Sequence, residues 1–127
     1  MNPTIDLICQ HASVRSFTDA RLSEEQRLAI LESARSASSS SFLQMVTIIR
    51  VTDPHTRAEL AKLAGEQAHV ATTAEFGVFC ADFARNQQIA PDADLGFTER
   101  LLMGAMDSAL MGQNALTAAE SLGLGGV

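Results

Sequence analysis

The chain has 127 residues and a hydrophobic fraction of 46%, enough for one ordinary domain with a core of its own. With a formal net charge of −6 and a pI near 4.9, it offers no positive field to nucleic acid or an anionic membrane, and it has no Trp or Tyr on which bases would stack. Its cysteines, Cys9 and Cys80, stand alone, and His11, His55 and His69 show no ligand spacing, so the reading is a cytoplasmic protein with reduced thiols and no metal.

The opening, Met1 to Asp6, lacks the basic and long apolar regions of a signal peptide. Thr4 to about Gln10 is predicted as a short helix with Ile5, Leu7 and Ile8 available for burial. Polar, irregular sequence follows from His11 to Leu22. Ser23 and Gln26 then form a capping-box pattern that opens a helix with Ile30, Leu31, Ala34 and Ala37 on one stripe. It should end before the serine run Ser38 to Ser41. Val46 to Thr52 is rich in β-branched residues and reads as a strand.

Asp53 followed by Pro54 is a helix start, with the helix running to about Leu63 and Gly65 as terminator. Glu75 to Asp82 is apolar on both faces, which predicts a central strand covered on each side. Pro91 and Asp92 open a long helix to about Leu122 that is apolar nearly all round. Glu99, Arg100, Asp107 and Glu120 interrupt it, so it is read as a buried core helix and not as a membrane span. Gly104, Ser108 and Gly112 recur every fourth residue, a stripe that admits close packing within the chain or across a dimer. Gly123 to Val127 reads as a helix C-cap and the entry to a further strand, so the sequence is expected to be the amino-terminal part of a longer domain without an internal boundary.

Several groups could carry chemistry. His11, Ser13 and Arg15 stand at alternate positions, where an extended backbone would turn them to one face and one anion; a solvated polar loop is the other reading. Ser38 to Ser41 supply hydroxyls and amides for a polyol or phosphate, or else form a flexible linker, although Phe42 and Leu43 bracket the run closely. Gln67 and His69 lie in a polar segment where a surface loop is the simpler reading. The glycines at 123, 125 and 126 follow a helix and make no dinucleotide fingerprint. No nucleophile-and-base arrangement can be argued from spacing, and no catalytic side chain is expected.

In blocks, however, these residues are familiar. Pro3 to Phe17 with its His11-x-Ser13-Val14-Arg15 core, Ser38 to Gln44, Ala74 to Phe83, and Gln113 to Val127 resemble, in order and spacing, the bacterial oxygen-insensitive NADPH nitroreductases and NADPH–flavin oxidoreductases. The resemblance runs from end to end of the chain. It implies an α+β, FMN-dependent nitroreductase-like fold, a central sheet flanked by helices, forming a homodimer with FMN at the subunit interface. By position, the 11–15 segment (His11, Ala12, Ser13, Val14, Arg15) would hold the flavin's phosphate, ribityl and pyrimidine side. Ser39, Ser40 and Ser41 would reach the same flavin from one side of the interface, with Gln67 at the ring's polar edge. Ser41 and Phe42 would line the face where NADPH and then a nitroaromatic or quinone bind in turn, a ping-pong two-electron reduction. Ala12 stands where relatives commonly carry Arg, so one cationic contribution is missing. The resemblance also leaves open a flavin reductase that releases reduced FMN, and a non-catalytic truncated fragment that needs a partner chain.

Overall fold

The computed structural model describes residues 2–94, 96 and 98–127; Met1, Leu95 and Phe97, each included in an expectation above, lie outside the described residues. The architecture is α+β. Helix α1 (Pro3–Cys9) starts where Asn2 Oδ1 accepts the Ile5 N–H at 3.0 Å. Helix α2 (Glu24–Arg35) opens on the capping box, with Ser23 N donating to Gln26 Oε1 at 2.9 Å and Gln26 N donating to Ser23 Oγ at 3.1 Å. A 3-10 turn (Ser40–Phe42) leads to strand β1 (Val46–Arg50). Helix α3 (Pro54–Leu63) is capped by Asp53, and the Thr56 hydroxyl and amide hold that carboxyl below its usual range. Short helix α4 (Ala68–Thr72), strand β2 (Gly77–Ala81), short helix α5 (Ala84–Ile89) and long helix α6 (Thr98–Ser121) complete the order.

β1 and β2 pair antiparallel, with Val46 opposite Ala81 and Arg50 opposite Gly77. The ladder is continued at both ends, by Val51 N to Phe76 O at 3.0 Å and by Asp82 N to Met45 O at 2.8 Å. α6 lies across α2 on one side and across the sheet on the other. The tightest approach is at Gly104, where a Cβ would fall 2.8 Å from Ala81 Cβ and 3.0 Å from the Phe83 ring. The Gly stripe therefore serves packing inside the chain at Gly104, while nothing lies within 4 Å of a Cβ at Gly112.

Three expectations are corrected. β2 is not a covered central strand: among the described residues it pairs only with β1, and its residues are at most half-buried. α6 begins at Thr98 because Pro91 to Asp94 is used as a turn, with Ala93 N on Ala90 O at 3.0 Å and Gln87 Nε2 on Pro91 O at 2.6 Å. α6 is also not a buried helix. Only Gly104 and Asp107 are buried, whereas Leu101, Leu102 and Met106 are 60%, 57% and 55% exposed. The helix buries one narrow stripe, and nothing among the described residues covers its leucine-rich flanks. α1 behaves likewise, burying none of its residues. Among the described residues no helix is long and apolar enough to cross a membrane.

Candidate functional site

α6 organises two groups of the predicted residues, one at its middle and one at its carboxy-terminal end. At its middle stands Asp107, only 1% exposed. Its oxygens accept from Ser40 N at 2.9 and 3.1 Å, from Ser40 Oγ at 2.7 Å and, more loosely, from Ser39 Oγ at 3.4 Å. Ser39 Oγ in turn accepts from Gln44 N at 2.7 Å. Three residues of this loop lie in the left-handed region, Ser41 (φ 50°), Phe42 (φ 54°) and Gln44 (φ 53°), a conformation that side chains resist and that persists only where the surroundings impose it.

The far limb of the loop is held from α5. Asn86 Nδ2 donates to Leu43 O at 2.9 Å, and Arg85 donates to Gln44 O and to Val46 O. Asp82 Oδ1 accepts the Ala84 N–H at 3.1 Å at the start of α5, and its other oxygen takes the Thr47 hydroxyl, which holds the Asp82 carboxyl below its usual range. The Asn86 Oδ1 is buried without a partner. Outside this frame Ser41 is exposed and the Phe42 ring is 78% exposed. Phe42 borders a broad, open cleft of about 790 Å³ that Ser39, Gln44, Thr47 and Arg85 also line.

At the end of α6 the helix closes on Gly123, whose φ of 76° is left-handed. Gly123 N donates to Glu120 O and Leu124 N to Ala119 O, both at 3.0 Å, the paired bonds of a Schellman cap. The chain then runs beside the 11–15 segment. Val14 N donates to Gly126 O at 2.8 Å in a parallel bridge between Ser13 and Gly126. Gly125 permits this approach, since a Cβ there would lie 3.0 Å from Val14 Cγ2. His11 Nδ1 is 2.7 Å from Glu120 Oε1; His11, Ala12 and Arg15 are exposed, and Arg15 enters none of the ion pairs among the described residues.

The structure thus gathers His11, Ser13 and Val14 at one pole and Ser39, Ser40 and Ser41 at another. The poles are 13 residues apart on α6 (120 − 107), about 20 Å along its axis at ~1.5 Å per residue. Gln67 belongs to neither pole by any hydrogen bond; it precedes α4, exposed, with Nε2 donating to Ala64 O at 2.7 Å. The sequence reading gave no site role to Asp107, Glu120, Arg85 or Asn86. A signal for Asp107 existed: a carboxylate three residues from Gly104, amid the apolar middle of the helix, calls for buried donors.

The donor set suits a flavin mononucleotide by its chemistry. Hydroxyls and backbone amides at the serine loop match a polyol, and the exposed Arg15, four residues beyond His11, offers a guanidinium for a phosphate.

An α+β frame of this kind is that of known flavin-linked reductases. The structure superposes on the NADPH:FMN oxidoreductase from Vibrio harveyi complexed with NAD+ with a TM-score of 0.96 and 53% identity, over 99% of this chain and 55% of that one. It superposes on nitroreductase A from Vibrio parahaemolyticus with a TM-score of 0.97 and 54% identity, over 100% of this chain and 55% of that one. The Nitroreductase family pattern matches residues 8–127, and the chain belongs to that family. In sequence it is 62% identical to the oxygen-insensitive NADPH nitroreductase of Salmonella typhimurium over its whole length, which is 53% of that protein. The chain therefore spans about half the length of the curated relatives it matches.

Proposed function

We propose that this chain forms the amino-terminal half of an FMN-dependent NAD(P)H oxidoreductase that reduces nitroaromatics and quinones by two electrons in a ping-pong cycle. The observation that carries the reading is the serine loop, held in left-handed conformations from both limbs so that Ser41 and Phe42 face outward beside the cleft. When bound, FMN supplies the hydride-carrying chemistry that no side chain here offers. The protein's own task is to bind and orient. Arg15 and His11 Nε2 would take the phosphate, with Ser13, Ala12 and Val14 backing it, and Gln67 would meet the ring's polar edge. Ser39, Ser40 and Ser41 would fix the other side, and Phe42 would give the nicotinamide and then the acceptor an apolar face that excludes water.

The same geometry supports a homodimer. Within one chain the two poles lie far apart along α6, and the flanks of α6 expose Leu101, Leu102 and Met106. A second protomer laid on α6 would cover those flanks and bring the serine loop of one chain toward the 11–15 segment of the other.

The Vibrio harveyi relative, an NADPH:FMN oxidoreductase, supports a second reading, a flavin reductase that releases reduced FMN. The test is NADPH oxidation by the native gene product, carrying FMN, with a nitrofuran, a quinone or excess free FMN as acceptor. Faster turnover with the nitrofuran and quinone is expected. Preference for free FMN selects the second reading, and absence of both flavin binding and turnover removes both.

A further inference from the structure

We infer that Asp107 is a positioning residue: from inside α6 it turns the hydroxyls of Ser39 and Ser40 inward and so decides which atoms the serine loop presents to its ligand. The inference rests on the flavin reading above.

The argument begins with the cost of placing a carboxylate there. At 1% exposure Asp107 is screened from bulk water, so its oxygens call for buried donors. Among the described residues its side-chain hydrogen bonds all come from the loop: Ser40 N, Ser40 Oγ and Ser39 Oγ. A serine hydroxyl has a single proton. With that proton directed at Asp107, Ser40 Oγ can face a ligand only as an acceptor. Ser39 Oγ points its proton the same way, and its oxygen already receives the Gln44 N–H. The only hydroxyl of the three still free to donate outward is that of Ser41, which is exposed.

A run of similar serines is thereby given a polarity: an acceptor at Ser40, a donor at Ser41. This pattern accepts from a ligand that brings hydroxyl or imide protons and donates to a ring nitrogen or carbonyl. The same bonds impose the loop's shape. Asp107 pins the entry at Ser40 while Asn86 and Arg85 pin the exit at Leu43 and Gln44, and the left-handed residues lie in and beside the span so held. A purely apolar residue at 107 would fill the same space but would leave the Ser40 N–H without its acceptor and the hydroxyl protons free to rotate.

Asp107→Asn tests this with little change of volume. Its oxygen can still accept from Ser40 N, but its amino group faces the serine oxygens and drives their protons outward. The native gene product, stripped of flavin and titrated with FMN, reports the dissociation constant through fluorescence quenching and the loop's polarity through the visible spectrum of the bound flavin. The expected result is an FMN dissociation constant raised about tenfold, a shifted bound-flavin spectrum and an unfolding temperature within a few degrees of the parent. In combination with Ser40→Ala the losses should be less than additive, because Asp107 acts through that hydroxyl. An unchanged dissociation constant and spectrum, or strictly additive losses, would overturn the inference and leave the flavin reading intact. If Asp107→Asn does not fold, Ser40→Ala decides: weaker FMN binding, a shifted bound-flavin spectrum and a lowered unfolding temperature, from the donor that Asp107 loses, together support the inference, and an unchanged spectrum or equal binding overturns it. A parent protein that binds no FMN ends the flavin reading and this inference with it.

Discussion

The imidazole of His11 meets the carboxylate of Glu120 at 2.7 Å, a tie between residues 109 positions apart in the chain. The Glu120 side chain is 13% exposed and that of His11 40%, so the half-buried carboxylate fixes an imidazole that is itself exposed. If this tie places the phosphate-binding segment, Glu120→Ala should raise the FMN dissociation constant about fivefold while lowering the unfolding temperature by only a few degrees. Calorimetric titration with FMN measures it. An affinity equal to the parent's would mean that the position of His11 has no bearing on the ligand.

Arg15 is exposed and forms no ion pair among the described residues, so its charge does little for the fold. Arg15→Ala is expected to leave thermal stability within about 2 °C of the parent and to weaken FMN binding about 10- to 100-fold, as loss of a charge-assisted contact to a phosphate does. The deficit should be smaller against riboflavin, which lacks the phosphate. Equal deficits with both ligands would place Arg15 elsewhere on the flavin.

The glycines of α6 should respond in opposite directions to alanine. At Gly104 the new methyl would overlap Ala81 Cβ and the Phe83 ring, neighbours with little freedom to retreat, so Gly104→Ala should cost about 1–3 kcal/mol. At Gly112 nothing lies within 4 Å, and the higher helix propensity of alanine should add up to about 1 kcal/mol. Denaturant unfolding separates the two. A destabilised Gly112→Ala protein would show that another surface packs against that position.

Glu75 sits between Arg27, whose Nε is 3.0 Å away, and Arg50. Burial pushes its carboxyl up, but the hydrogen bonds from Arg50 and Arg27 outweigh this and hold it below the ordinary value of 4.5. A carboxylate whose folded value is depressed stabilises the fold above its unfolded value and loses that contribution as pH falls through the folded one. The Glu75 contribution should therefore be complete above about pH 5 and fade below 4.5. Glu75→Gln should lower the unfolding temperature by about 4 °C at pH 7, with the gap to the parent closing in acid. A gap that stays constant down to pH 3 would rule out this linkage.

Elements specified by neighbouring residues were legible in advance. The Ser23 and Gln26 box, the Asp53-Pro54 start and the left-handed Gly65 and Gly123 are settled within one turn of chain, and each lies where local chemistry puts it. Elements specified from a distance were not. α5 is short and depends on Asp82, whose carboxyl is oriented by Thr47 on the neighbouring strand. The burial of α6 was misjudged because an apolar sequence says that a face seeks cover and not whether this chain supplies it. The serine run was visible as a donor-rich segment, but its partner Asp107 lies 67 residues further on, and no spacing rule links the two.

The parallel bridge between Ser13 and Gly126 bears on the order of folding. Closing a loop of more than a hundred residues loses more chain entropy than pairing β1 with β2, and the bridge with the His11–Glu120 contact returns little in exchange. α2, α6 and the sheet must therefore dock before it forms. The 11–15 segment thus orders after these elements, and its amide hydrogens should exchange before those of β1. On a ribosome it would stay unstructured until Gly126 had left the exit tunnel, although it is made well before that residue.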